Sequence, residues 1–196
     1  AEVMTADQVD KGYGAPFIEI QDLPDPVLSY LLPSRYCESD RLGQLASSIT
    51  AGELLGYDQV VAIERWLRAT ILFQPGSSDI AVSAVEVYGR QSGVCRDLSH
   101  LGIALCRSIS IPARLVVGFL YGLEPMDLHA WFEAYVAGRW YTFDATQAEL
   151  LGGYVAIGYG RDAADVAVYN QFGPEVYPTV QQVHVQRIAG EKSWPG

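Results

Sequence analysis

The hydrophobic pattern changes character near the middle of the chain. From Cys95 onward, Leu98, Leu101, Leu105 and Ile109 recur at the spacing of one helix face, and Ile111-Pro112 ends the run because proline lacks an N–H and restricts the residue before it. The pattern predicts a helix of about four turns. Strand-forming runs rich in β-branched and aromatic residues follow: Ala113–Tyr121, Leu128–Val136 and Arg139–Asp144, then a weaker Tyr154–Tyr159 and a last one near Val180–Ile188. Upstream the pattern is helical. Asp40 is placed to cap a helix reaching Thr50, and Asp58 to cap a second whose stripe is Val61, Ile63, Trp66, Leu67 and Ile71, ended by Gly76 and the serines after it. Residues 81–89 fit either a short helix or a strand. Residues 1–36, with Gly12, Gly14, Pro16, Pro24, Pro26 and Pro33, read as an arm without a core of its own. A helix-rich half before a strand-rich half predicts an α+β fold with an antiparallel sheet.

Composition narrows the function. A chain of 196 residues that is 49% hydrophobic buries a real core and fits one domain, and no internal repeat is visible. With 13 Lys+Arg against 23 Asp+Glu the net charge is -10, which opposes a phosphate-dominated grip on nucleic acid or on anionic lipid. The acid is concentrated at the front, with ten acids and three bases in residues 1–60. No apolar run approaches the length of about 20 residues needed to span a bilayer, and no signal peptide is evident, although the chain opens on Ala1 and not on Met. Three cysteines are too few for a disulfide framework, which points to a reducing, cytoplasmic setting.

One cysteine sits where chemistry is plausible. In Gly93-Val94-Cys95-Arg96-Asp97 the thiol occupies the first turn of the predicted helix, where backbone N–H groups and the helix dipole favour thiolate; the bland alternative is a buried, inert Cys. Residues 90–114 also hold Arg90, Arg96, Arg107 and Arg114 against Asp97 alone, a basic stretch that fits thiolate stabilisation. Of the three histidines, His100 is turned off the cysteine's face, which favours packing or exposure, and His184 falls on the outward face of the last strand. His129 opens the strand His129-Ala130-Trp131-Phe132-Glu133-Ala134-Tyr135. If Ala137-Gly138 is a two-residue hairpin loop, Trp131 opposes Asp144 and His129 opposes Thr146, so Asp144 is the diagonal neighbour of His129 on one face. An odd-length loop would separate them, and Asp144 would then merely start a turn with Ala145-Thr146.

These blocks, together with Ile111-Pro112-Ala113-Arg114 and Trp140-Tyr141-Thr142-Phe143-Asp144-Ala145-Thr146, resemble the bacterial branch of the transglutaminase-like superfamily. Pro33-Ser34-Arg35-Tyr36-Cys37-Glu38-Ser39-Asp40 and Gly160-Arg161-Asp162-Ala163-Ala164-Asp165-Val166 extend the likeness over residues 30–190. The resemblance implies a papain-like core, a helical half with the nucleophile helix packed on an antiparallel sheet, and a Cys95-His129-Asp144 triad. It also implies an arm over residues 1–33 and a catalytic domain over 34–196. The expected activity is acyl transfer or hydrolysis at amide bonds of a peptide or protein through a thioester, protease-like or amidase-like, since soluble bacterial members are often of that kind. The backbone N–H of Cys95 is the natural first oxyanion donor; Tyr36, Trp66 and Gln91 are open alternatives for a second. Cys37 and Cys106 are expected to be structural.

Other readings stay open. The fold could serve as an inert binding module gripping a partner through Trp131, Tyr135, Trp140 and Tyr141, or it could cross-link proteins by accepting an amine. A metal hydrolase using Cys95, His129 and Asp144 as ligands is the weakest, because no close Cys/His pair and no EF-hand loop accompanies them. No cofactor, nucleic acid or membrane partner is expected.

Overall fold

Helix α5, Cys95–Ser108, forms where the periodic stripe predicts it, and Leu98, Leu101 and Leu105 lie in the core. The computed structural model describes residues 1–75, 80–167, 180 and 182–188. Four helices precede α5: α1 (Asp25–Leu28), α2 (Gly43–Ile49), α3 (Tyr57–Thr70) and α4 (Ala84–Arg90). Two short strands, β1 (Leu72–Phe73) and β2 (Ser92–Gly93), pair in parallel. Four longer ones, β3 (Ala113–Leu120), β4 (His129–Val136), β5 (Arg139–Phe143) and β6 (Tyr154–Gly160), form an antiparallel sheet in the order β5-β4-β3-β6.

Alternation along β4 divides the sheet. Ala130, Phe132, Ala134 and Val136 join Leu101, Ile103, Leu105 and Ile63 in one apolar cluster between sheet and helices. Gly102 allows the closest approach: a Cβ there would stand 2.7 Å from the Phe132 ring. The other face of β4 carries His129, Trp131, Glu133 and Tyr135. The β4–β5 turn is the two-residue one anticipated. Val136 pairs with Arg139, and Ala137 and Gly138 have φ of 50° and 85°, both left-handed, as a turn that matches strand twist requires.

Several helix boundaries differ from the sequence reading. Asp40 lies inside a short 3-10 turn, Ser39–Arg41, and α2 starts beyond it at Gly43. Asp58 is not the cap of α3. Gly56 holds that position with φ 109°, its N–H donating to Gln59 Oε1 at 3.1 Å, and the Asp58 carboxylate accepts the Gly14 N–H at 2.7 Å. Helix α3 ends at Thr70; Gly76 and the serines after it lie outside the described residues. Residues 81–89 resolve into α4, whose Ser83 and Glu86 cap each other's backbone N–H groups. Val180 and residues 182–188 form no strand: the alternation is there, with His184 exposed between half-buried neighbours, but among the described residues no strand partner completes a ladder.

The arm lies along the rest of the molecule. Its buried hydrophobics are Leu23 and Val27, while Ala15 and Phe17 pack against the main core. Gln8 bridges to Leu151, and the Gly152 and Gly153 N–H groups donate to Asp7 and Ala6 carbonyls, so the arm braces the loop between β5 and β6.

Strand β6 docks on β3 through a register shift at Val117/Gly118, and a side chain at Gly118 would collide with the Val155 carbonyl oxygen. Gly118→Ala is therefore expected to lower unfolding free energy by about 1–3 kcal/mol in urea titrations, by forcing β6 off the sheet. Gly138→Ala, at a turn with open space, should cost less, about 1 kcal/mol from backbone strain alone.

Candidate active site

Three elements deliver the site. Cys95 is the first residue of α5, partly exposed, and its N–H is among the first-turn donors for which a helix has no internal acceptor. The approach is fixed by Asp97, which accepts the Val94 N–H at 3.3 Å and pairs with Arg96 at 3.0 Å; a Cβ on Gly93 would press on Asp97 Cβ at 2.8 Å. His129 begins β4 and is 2% exposed. Asp144 follows β5 and is equally buried.

His129 Nε2 and Asp144 Oδ2 stand 2.6 Å apart, the diagonal contact that the two-residue hairpin implies. Cys95 lies close enough to the same ring to help raise its pKa, and with Nε2 turned to Asp144 the remaining nitrogen is Nδ1. Burial pushes the His129 pKa down, but the hydrogen bonds to Asp144 and Cys95 and the charges of both outweigh it, and the net effect raises it to about 10. Asp144 moves the other way: burial raises its pKa, yet bonding to the His129 ring and to Thr146 leaves it below the ordinary carboxylate value. An imidazolium paired with the Asp144 carboxylate is the form this geometry favours.

Four residues to which the sequence reading gave no role in the triad hold Asp144. Tyr154 Oη donates to Asp144 Oδ2 at 3.0 Å, and the Thr146 N–H and hydroxyl donate to Oδ1 at 3.0 and 2.7 Å. Its backbone is gripped as well. The Asp144 N–H donates to Glu64 Oε1 at 2.9 Å, and Arg68 donates to the Asp144 carbonyl at 3.3 Å while pairing with Glu64 at 3.4 Å. Burial raises the Glu64 pKa, with the Asp144 N–H and Arg68 pulling against it. The only sequence signal for this grip is a Glu and an Arg four residues apart on α3, a common pattern on exposed helices.

The structure scatters other expected residues. The Tyr36 ring stacks on His100 at 5.2 Å, Trp66 packs on Tyr88 at 6.1 Å, and Gln91 occupies a left-handed position ending α4. Among the described hydrogen bonds none joins these three side chains to Cys95 or His129. His100 is buried, its Nδ1 facing the Val82 carbonyl at 3.0 Å and its Nε2 accepting the Ala163 N–H at 3.2 Å, and burial lowers its pKa to about 4. The arginines do not gather at the thiol. Arg90 pairs with Glu86, Arg96 reaches Asp97 and the Ile80 carbonyl, and Arg114 pairs with Glu133 between the Trp140 and Tyr159 rings. Arg107 sits near the far end of α5, about 18 Å along the axis from Cys95. Cys37 and Cys106 are fully buried free thiols; burial pushes Cys37 up to about 12 and Cys106 higher. No His/Cys/Asp/Glu cluster fit for a metal occurs among the described residues. The four aromatics of the binding-module reading form no single exposed surface, since Trp131 and Tyr141 are buried.

The sequence model of the transglutaminase-like superfamily matches residues 43–145, a span that contains Cys95, His129 and Asp144. The chain belongs to the transglutaminase-like superfamily. Within it, an uncharacterized protein of Mycobacterium leprae, ML0607, is 34% identical over 117 residues, 55% of this chain and 42% of that protein. The crystal structure of a candidate cysteine protease from Cytophaga hutchinsonii matches with TM-score 0.74 and 43% identity, covering 79% of this chain and 53% of that one. The periplasmic domain of TgpA from Pseudomonas aeruginosa shares the fold, with TM-score 0.50, 23% identity, and coverage of 63% and 48%. This superfamily member thus spans about half the length of these relatives.

The charge state of the pair sets a pH signature. The raised His129 pKa contributes stability that is complete below the unfolded value of 6.5 and lost as pH rises through about 10. The lowered Asp144 pKa contributes stability present above 3.8 and lost as pH falls through its folded value. The stability difference between the native chain and His129→Gln, from urea titrations across pH, should be largest between these limits and shrink toward pH 10. A difference that stays flat would refute the charged pair. Tyr154→Phe removes a donor to a buried carboxylate and should cost about 1.5–3 kcal/mol in the same measurement.

Proposed function

We propose that this protein is a cysteine-dependent enzyme that opens amide bonds of peptide or protein substrates through a thioester, with water as the acceptor. The observation that carries the reading is the buried His129–Asp144 hydrogen bond with Cys95, at the first turn of α5, close to the same ring. Its likeness to a candidate cysteine protease from Cytophaga hutchinsonii supports it.

The chemistry follows from the atoms in place. The Cys95 thiolate attacks the amide carbonyl carbon; a C–S bond forms and the carbonyl π pair moves to oxygen, where the Cys95 N–H is the first donor. As the tetrahedral adduct collapses, the C–N bond breaks and the leaving nitrogen takes the His129 Nδ1 proton. Water then adds to the thioester, giving a proton to Nδ1, and expulsion of the thiolate frees the acid. Asp144 keeps Nε2 protonated and fixes the ring throughout, so Nδ1 is the nitrogen that cycles.

Cys95→Ala is expected to abolish hydrolysis across a panel of peptide amides while leaving the circular dichroism spectrum unchanged. Turnover by the variant equal to that of the native chain would refute the assignment. Release of a cross-linked amine adduct in preference to free acid, when both water and a primary amine are offered, would instead identify a transferase.

A further inference from the structure

A groove of about 380 Å³ is walled by residues 68–73 on one side and on the other by Ala145 and Thr146, the two residues that follow Asp144. Both walls are tied to the reacting groups. Ala145 and Thr146 directly follow Asp144, and β1 is hydrogen-bonded to β2, which ends at Gly93 just before Val94-Cys95.

The hydrogen-bond pattern of β1 reveals which way its main chain faces. The Leu72 N–H donates to the Gln91 carbonyl and the Gln74 N–H to the Gly93 carbonyl, each at 2.9 Å. A parallel ladder uses alternate residues, so Leu72 and Gln74 turn their main-chain groups toward β2 and Phe73 turns its N–H and C=O toward the opposite edge. Among the described residues no strand pairs with that edge. The side chains beside it are apolar and accessible, Leu72 at 64% and Phe73 at 37%.

We propose that this edge is the substrate strand: a peptide lies extended along β1, exchanging two main-chain hydrogen bonds with the Phe73 N–H and C=O, and so brings a neighbouring amide to Cys95. The inference rests on the acyl-transfer reading and adds the substrate's form. An N–H and C=O that no described strand takes up complement any extended backbone, whereas a helix keeps those groups internally bonded. Exposed Leu72 and Phe73 supply apolar contact for alternate side chains of such a peptide. The substrate class is thus an unfolded or loop segment with apolar residues near the bond, and not a helical segment or an isolated amino-acid amide.

The test uses covalent probes that report on groove and thiol separately. Iodoacetamide measures the reactivity of Cys95 alone. A tripeptidyl chloromethyl ketone with apolar side chains, whose chloride the thiolate displaces to form a thioether, adds the groove. A series of the same reagent methylated at one backbone nitrogen at a time removes single donors. Alkylation of Cys95 is followed by peptide mass mapping. With the native chain, one methylated reagent should react about tenfold more slowly than the parent, the scale of one to two net hydrogen bonds. Phe73→Pro, which deletes the N–H, should slow the parent reagent by a similar factor, erase the methylation effect and leave the iodoacetamide rate unchanged; Phe73→Ala should keep the methylation effect. If Phe73→Pro fails to fold, the methylated series on the native chain still decides. A thiol that reacts with iodoacetamide but takes every methylated reagent as fast as the parent overturns the substrate strand alone. A thiol inert to both reagents overturns the acyl-transfer reading and this inference together.

Discussion

The buried contact between His129 and Asp144 is the constraint around which the molecule is arranged. At 2.6 Å and almost without solvent, a protonated imidazole and a carboxylate are tolerable only as a well-bonded pair, since either charge alone would face a large desolvation cost. Burial opposes both ionised forms, and the hydrogen bonds reverse that on both residues. The remaining oxygens of Asp144 are accordingly filled: Thr146 supplies two donors to Oδ1, and Tyr154 shares Oδ2 with His129. The hairpin provides the diagonal placement, and the arm braces the loop from which Thr146 and Tyr154 emerge.

Cys95 is positioned by a second, separate framework. Helix α5 carries Cys95 at one end and Arg107 near the other, and the buried Arg107 guanidinium donates to the carbonyls of Leu32, Ala113 and Arg161 and to Ser34 Oγ. Midway, His100 is wedged between the Val82 carbonyl and the Ala163 N–H, beneath the Tyr36 ring. Asp162 completes this set by accepting the Tyr36 N–H at 2.8 Å. The polar residues of α5 that do no chemistry thus lock the helix to segments distant in sequence, and this defines where its first turn meets β4.

What the sequence made legible was local. Helix α5 and strands β3 to β5 follow from periodicity, and the His129–Asp144 contact follows from counting residues across one turn, since only an even loop keeps both on one face. The unread part is long-range. Glu64 and Arg68 grip Asp144 from 80 and 76 positions away, through its backbone, so no side-chain pattern near Asp144 advertises them. The run of arginines in residues 90–114 misled for the reverse reason: neighbours in sequence diverge along a helix and into a strand, and each found its own acid or carbonyl. The alternation after Val180 gave no strand either, because a strand needs a partner as well as a pattern and none of the described strands supplies one.

Glu64 gives the arrangement its tension. It places a second carboxylate against the backbone of Asp144, whose charge adds to burial in raising the Glu64 pKa. Arg68 relieves that repulsion by pairing with Glu64 while donating to the Asp144 carbonyl, so one guanidinium serves both ends of the contact. The same Arg68 forms part of the groove wall, half in contact with solvent. Whatever lies in the groove therefore borders directly on the ion pair that clamps Asp144, and occupation of the groove excludes water from it. Less water means weaker screening between Arg68 and Glu64, hence a firmer hold on the Asp144 backbone. The groove wall and the placement of Asp144 are in this way physically connected through Arg68, which among the described hydrogen bonds joins neither His129 nor Cys95.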